Sequence, residues 1–244
     1  MASIEVQAVA QIAPRTWDEI WGLTQAYYDT DRSFIEARLK AHQRLGLFRS
    51  RRGGEMVGMA SVDVYPEAFH GRELAVIFTS HVLLREEYRG HNLIQKLGLR
   101  VFLQARLRYP LRPIYWFFDT FSYKSYLLLS RNMRDYWPRH DQPTPERERA
   151  LMAHLAERMY GEDWRPAQGI VARSGRKQLR PETAPLLADA PNAPDLEFFA
   201  RTNPGHAEGD MLVCLCPLSA ANWLGIAQRA LRREFRRGAR LYSG

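Results

Sequence analysis

Two cysteines in 244 residues, Cys214 and Cys216, leave little scope for a disulfide framework or a thiolate metal site. At i, i+2 on a strand both thiols face one side, a poor geometry for a mutual bond. Without a CxxC spacing they make no zinc ligand set either, so they read as reduced core residues. The seven histidines never form an HExxH pattern, and a metal enzyme is not indicated. Long apolar runs are missing too. The longest, Leu74 to Leu84, is about half of the ~20 residues a spanning helix needs. The start, Met1-Ala2-Ser3-Ile4-Glu5, lacks the basic end and apolar centre of a secretion signal. A cytoplasmic protein with no membrane span is therefore expected. Internal repeats and low-complexity tracts are absent.

What is present suffices for a core. Hydrophobic residues make up 45% and charged residues 25%, an ordinary globular balance that argues against wholesale disorder. The net charge of +8 favours anionic partners, among them phosphorylated cofactors, acidic carrier proteins, nucleic acid and anionic lipid. The helical segments hold no nucleic-acid recognition motif, and no nucleic acid is expected as a partner.

Ile4 to Ile12 alternates loosely and reads as a strand. Thr16-Trp17-Asp18-Glu19 reads as a capping box opening a helix with Trp17, Ile20, Trp21 and Thr24 on one face. Ser33-Phe34-Ile35-Glu36 is a second such box. Arg51-Arg52-Gly53-Gly54 is a hairpin turn signal joining strands at 47–51 and 55–64. Glu73 to Leu84 is a buried-looking strand rich in Val, Ile and Phe. A loop at 85–92 then opens a helix over 93–108, where Leu93, Leu97, Val101 and Ala105 recur at i+4 and Pro110 follows the end. Pro113 to Thr120 reads as a central strand, and Tyr123 to Arg131 as a shorter helix. Pro143-Thr144-Pro145 starts another helix, with Thr144 as cap and Pro145 first, running to Tyr160. Residues 163–205 read as loops and short strands, 211–215 as a strand, and 219–240 as a terminal helix. The fold expected is mixed α/β (α+β), with a largely antiparallel sheet flanked by helices, because a hairpin joins the early strands. The division expected is a core over 1–138 and an extension over 139–244 packed on the same domain.

The chemistry-bearing stretch is His81-Val-Leu-Leu-Arg-Glu-Glu-Tyr-Arg-Gly-His-Asn-Leu-Ile94. A buried strand feeds a short loop that opens a helix, whose first amides are unsatisfied and whose dipole is positive there. That arrangement binds phosphates. With Tyr88-Arg89-Gly90 at its centre, the stretch resembles the acyl-CoA pyrophosphate loop of the GNAT (N-acyltransferase) superfamily. The likeness covers roughly residues 4–134. Asn92 and Ile94 depart from it, standing where Gly, and Gly or Ala, are usual. Asn tolerates left-handed angles; an Ile side chain at 94 would block close approach of a pyrophosphate.

The resemblance implies an acyl donor, acyl-CoA or an acyl-phosphopantetheine on acyl carrier protein, with no metal. It implies donor contacts from Val82, Leu83, Leu84, Arg89, Gly90, His91, Asn92, Leu93 and Ile94, and an amine acceptor that is a small molecule, amino acid or peptide. Many members carry a Glu base on the strand before the loop. Here Phe78 to Ser80 occupy that region, and His81 is the nearest group of suitable pKa; a histidine facing the sheet's other side is the alternative. Asp119 is a second candidate base, or a satisfied loop carboxylate. Leu128 falls near the slot of the family's tyrosine acid, with Tyr123 and Tyr126 close by. Aromatics near the donor site and the extension suit a larger, fatty acyl group, as in relatives that lipidate amino acids or peptides. The arginines at 229, 232, 233, 236, 237 and 240 read as a solvated basic face or a dock for an acidic partner. A GNAT-like binding module without catalysis is the alternative to an enzyme.

Overall fold

The computed structural model describes residues 2–173, 178–180, 193–226 and 228. Strand β1 (Ala2–Ala8) is followed by helices α1 (Pro14–Gln25) and α2 (Arg32–Lys40), with the short β2 (Tyr28–Asp29) between them. Strands β3 (Arg44–Ser50), β4 (Met56–Phe69) and β5 (Arg72–Leu84) form a meander. Helix α3 (Leu93–Arg108) then crosses over to β6 (Ile114–Thr120). Helices α4 (Tyr123–Asn132) and α5 (Glu146–Tyr160), strands β7 (Trp164–Arg165), β8 (Ile170–Val171) and β9 (Gln178–Leu179), helix α6 (Pro194–Thr202) and strand β10 (Met211–Pro217) complete the described elements. The main sheet has the order β1-β3-β4-β5-β6-β10-β8-β7, and β2 pairs with β9 apart from it. Among the described strands only β5 and β6 run parallel. This is the mixed, largely antiparallel architecture expected. The late strand β10 lies in the same sheet, antiparallel to β6.

Alternation along the strands sends side chains to two cores. On one face Leu47, Met59, Val76, Phe78 and Phe117 pack beneath α1, α2 and α5. On the other, Val62, Ala75, Ile77, Phe118 and Cys214 pack beneath α3, α4 and α6. Helix α3 is held by its i+4 row Leu93, Leu97, Val101 and Ala105, all buried. Each of the larger side chains contributes about 1.5–3 kcal/mol by leaving water. Cys214 and Cys216 are both buried and free, as expected. No described helix is long and apolar enough to cross a membrane.

The capping boxes are corrected. Helix α1 starts at Pro14, whose fixed φ suits the first turn, so Thr16 lies inside it and no side chain caps it. Glu19 instead accepts from Arg49 Nη2 at 2.6 Å, tying α1 to β3. Helix α2 likewise begins before Ser33, and Glu36 takes Arg32 (2.6 Å) and Lys40 (2.9 Å). Pro145, not Thr144, precedes α5. Strand β4 runs five residues past Val64, because β5 pairs with it through Phe69↔Arg72. Helix α6 falls where only loops and short strands were expected; Leu196 and Phe199 bury against the second core. Of the terminal helix, residues 220–226 are helical; the basic arginines from 229 onward lie outside the described residues.

Gly98 sits on the exposed side of α3, and a Cβ there would meet nothing within 4 Å. Gly98→Ala is therefore expected to stabilise the protein by about 0.5–1 kcal/mol, read as a higher urea midpoint at unchanged m-value.

Candidate active site

The parallel β5–β6 ladder runs from Ala75↔Ile114 to Thr79↔Phe118 and stops there. Strand β5 continues to Leu84 without β6 beside it, so a gap opens between the two strands. At the same level the β4–β5 register shifts between Met59 and Ser61, and His81 takes φ +51°. One β4 residue, Ala60, thus faces two on β5, a bulge. Gly58 makes room beside it: a Cβ there would lie 2.6 Å from the Leu83 carbonyl oxygen and 2.9 Å from the Phe48 ring.

The bulge fixes which amides face the gap. Arg85 N–H donates to Val57 O on β4 at 2.8 Å. Alternation then turns the N–H groups of Leu84 and Val82 the other way, into the gap. The Leu83 N–H points toward β4, and its side chain joins the first core; of these three residues, Val82 and Leu84 supply the gap donors. Their side chains pack on the second core.

The loop after β5 carries two left-handed residues, Gly90 at φ +84° and Asn92 at φ +56°. Asn92 directly precedes α3. The amides of Leu93, Ile94 and Gln95, in the helix's first turn, have no intrahelical acceptor. Amides so placed at a helix entrance can take an anion. The Ile94 side chain is partly buried against the second core, which turns it away from those amides and removes the steric objection to phosphate approach. His91 is exposed, with Nδ1 3.2 Å from Tyr88 O. Arg89 Nη1 donates to Glu86 at 3.1 Å, and its charge also acts on Tyr27 and Tyr28. Glu86 is 83% exposed, so this pair is weak and readily exchanged for a phosphate.

On the α1–α2 face, Asp119 is buried and both its oxygens are used. Ser80 Oγ donates to Oδ1 at 2.8 Å and Tyr160 Oη to Oδ2 at 2.7 Å. Ser80 and Asp119 thereby latch β5 to β6 one residue beyond the last ladder pair. Burial first, and the Asp119 carboxylate second, push the Tyr160 hydroxyl well above its ordinary pKa, so it stays a donor. His81 meets His42 edge-on, with ring centroids 5.6 Å apart. His42 stacks on Phe78 at 5.6 Å, and its Nδ1 lies 2.7 Å from Asp63 Oδ2. The His42 side chain is 8% exposed.

The structure thus brings His81 and Asp119 to the gap on one face and Val82 and Leu84 into it. Tyr123 begins α4 and packs on the second core beside the gap's other face. Tyr126 is not brought there: it is fully buried, its hydroxyl donates to Pro138 O at 3.1 Å, and its ring meets Tyr136, Phe198 and Phe199. Its expected catalytic placement is corrected to a core one. Ser80, Tyr160, His42 and Asp63 were missed. They join the site from four separate elements, and no local spacing in the sequence signals them.

No protein-family model matches the chain, and no curated protein resembles it in sequence. Solved structures that overlay on part of it include a probable N-acyltransferase from Enterococcus faecalis (15% identity, 52% of this chain and 32% of that one, TM-score 0.39). A Trypanosoma brucei acetyltransferase overlays at 19% identity, over 59% of this chain and 98% of that one, with TM-score 0.38. A GNAT family N-acetyltransferase from Escherichia coli in complex with CoA does so at 16% identity, over 53% and 66%, with TM-score 0.38. The chain spans about a third of the length of the Enterococcus protein. At this depth the likenesses say nothing of chemistry.

Proposed function

We propose that the chain is an N-acyltransferase that moves an acyl group from a phosphopantetheine thioester, as acyl-CoA or on acyl carrier protein, to an amine. The observation that carries this reading is the gap itself. Two strand amides, from Val82 and Leu84, point into a split between parallel strands, and a left-handed loop at a helix entrance lies at its end. The amides are placed to donate to a thioester oxygen as it gains charge, and the loop to hold the donor's phosphates. The acceptor nitrogen, entering from the α1–α2 face, attacks the carbonyl carbon. His81 takes the proton the nitrogen sheds. The C–S bond breaks, the thiolate leaves and is protonated, and the new amide remains. Tyr123, at the start of α4 and packed on the donor face, is the hydroxyl we assign to supply that last proton. Asp119, held by Ser80 and Tyr160, fixes the crotch of the split.

The acyl group we propose is longer than acetyl. Trp116 and Phe118 stack at 4.6 Å on the face that carries Val82, Leu84 and Tyr123, an apolar wall suited to a chain. A donor-binding module without catalysis is the second reading, favoured by the engagement of Tyr126 elsewhere.

The test is a thermal-shift panel of CoA, acetyl-CoA, a long-chain acyl-CoA and a fatty-acylated carrier protein, followed by thioester cleavage with each donor that binds. A donor at 100 times its Kd should add about 2.7 kcal/mol of apparent stability. Arg89→Ala is expected to weaken CoA binding about tenfold, roughly 1.4 kcal/mol. No shift with any donor overturns the reading. Binding without cleavage across a broad amine panel leaves the module.

A further inference from the structure

Arg173 follows β8 and is placed from several sides. Its backbone N–H donates to Asp210 Oδ1 at 2.8 Å, and its guanidinium lies over the Tyr160 ring at 5.5 Å. Its side chain is 10% exposed, and the one carboxylate paired with it among the described residues, Asp163, stands at 3.5 Å and is 34% exposed. The Arg173 Nε is buried with no hydrogen-bond partner among the described residues. Arg38 of α2, half-buried, is a second cation whose charge acts on both Arg173 and Tyr160. Burial first, then the Arg38 charge, pull the Arg173 pKa below its ordinary value. A buried guanidinium with an open donor, facing a like charge, is an unfavourable arrangement left to itself. An anionic oxygen group at Arg173 Nε supplies the missing acceptor and offsets the Arg38 charge, and guanidinium forks suit carboxylate and phosphate.

This pair stands at the acceptor side of the split. Tyr160, beneath Arg173, donates to Asp119, which Ser80 ties to the end of the ladder. We propose that Arg38 and Arg173 form an anion-recognition site, so that the acceptor is a small amine carrying a carboxylate or phosphate near its nitrogen. Only the word acceptor rests on the acyltransfer reading; the anion site stands on its own geometry.

The experiment measures binding to the intact protein without donor, by calorimetry, using matched probes: a set of L-amino acids against their amides, and glucosamine 6-phosphate against glucosamine. At least one charged probe is expected to bind ten times or more tighter than its neutral counterpart. That preference should vanish in Arg173→Met and fall in Arg38→Gln. A preference in the amino-acid pair assigns a carboxylate, and one in the sugar pair a phosphate. Without ligand, Arg173→Met should melt no lower than the parent, since it removes a buried charge whose ion pair, to the partly exposed Asp163, is a long one at 3.5 Å. Arg38→Gln, at a half-exposed position, keeps the test open if Arg173→Met fails to fold. Equal binding of charged and neutral probes, or a preference that survives both substitutions, overturns the proposal. Donor binding and thioester cleavage are measured separately: cleavage without anion preference sinks the anion site alone, and anion preference without cleavage sinks the acyltransfer reading alone.

Discussion

Replacing His81 with asparagine is expected to lower kcat by about 10²–10⁴-fold, the usual worth of a positioned general base, and to leave CoA affinity within a few-fold. Asparagine is the informative choice. It tolerates the left-handed backbone that His81 adopts at φ +51°, so the bulge survives, and with it the Val82 and Leu84 donors. What disappears is the imidazole, the side chain that changes charge nearest neutral pH. The measurement is thioester cleavage by parent and variant at saturating donor, with CoA binding as the control. A kcat within about threefold of the parent places the base elsewhere, and a parallel loss of CoA affinity shows that the bulge itself has shifted.

The choice of His81 over Asp119 follows from what each already does. Asp119 spends both oxygens on Ser80 and Tyr160. A carboxylate so engaged is fixed as the latch between β5 and β6, with a lone pair on each oxygen already taken. His81 instead lies beside a buried imidazole, His42, already turned toward Asp63. The three groups come from β5, the α2–β3 turn and β4.

The elements that bury a regular row of side chains were legible in the sequence. Helix α3 shows its i+4 row, and β5 and β6 show unbroken apolar runs. The turn into α3 was legible because it is backbone and local: Gly90, Asn92 and a helix start suffice. Less legible was everything set by distant pairing. The bulge at His81 exists because β4 and β5 slip register, and Gly58, on the other strand, makes the room. That slip decides that Val82 and Leu84 face the gap while Leu83 does not. Caps were misread at α1 and α2 because Thr16–Glu19 and Ser33–Glu36 have the right spacing, yet the helices begin earlier and the glutamates find arginine and lysine. Tyr126 looked catalytic by proximity in sequence. Its direction was decided by α6 and by Pro138, and no pattern near residue 126 reports either.

Stability is expected to hold near neutral pH and to collapse steeply in alkali. Tyr28, Tyr126, Tyr136 and Tyr160 are all buried, and burial pushes each hydroxyl up. Tyr136 is pushed up to about 12, by burial first and then by the Asp195 carboxylate; Tyr160 is raised further, with Asp119 adding to burial. Burial likewise raises the thiols of Cys214 and Cys216. In every case the neutral form is favoured in the native state, so the folded pKa exceeds the unfolded one. Below the unfolded values, near 8.5 for thiols and 10 for tyrosines, both states hold their protons and the full stability is present. Above them only the unfolded chain ionises, and each group costs about 1.4 kcal/mol per pH unit until its folded pKa is reached. The two thiols begin the loss, at roughly 3 kcal/mol per unit, and the four tyrosines then add about 6 more. Against a total of 5–15 kcal/mol, unfolding should be complete within about one to two units above pH 10. Urea midpoints across this range, with tyrosinate absorbance followed in parallel, check the prediction. The tyrosinate signal of these four should appear together with unfolding, after that of the less buried tyrosines. A native protein that ionises these four tyrosines near pH 10 without losing stability would mean that water reaches them, and that the two cores on either side of the sheet are not packed as described.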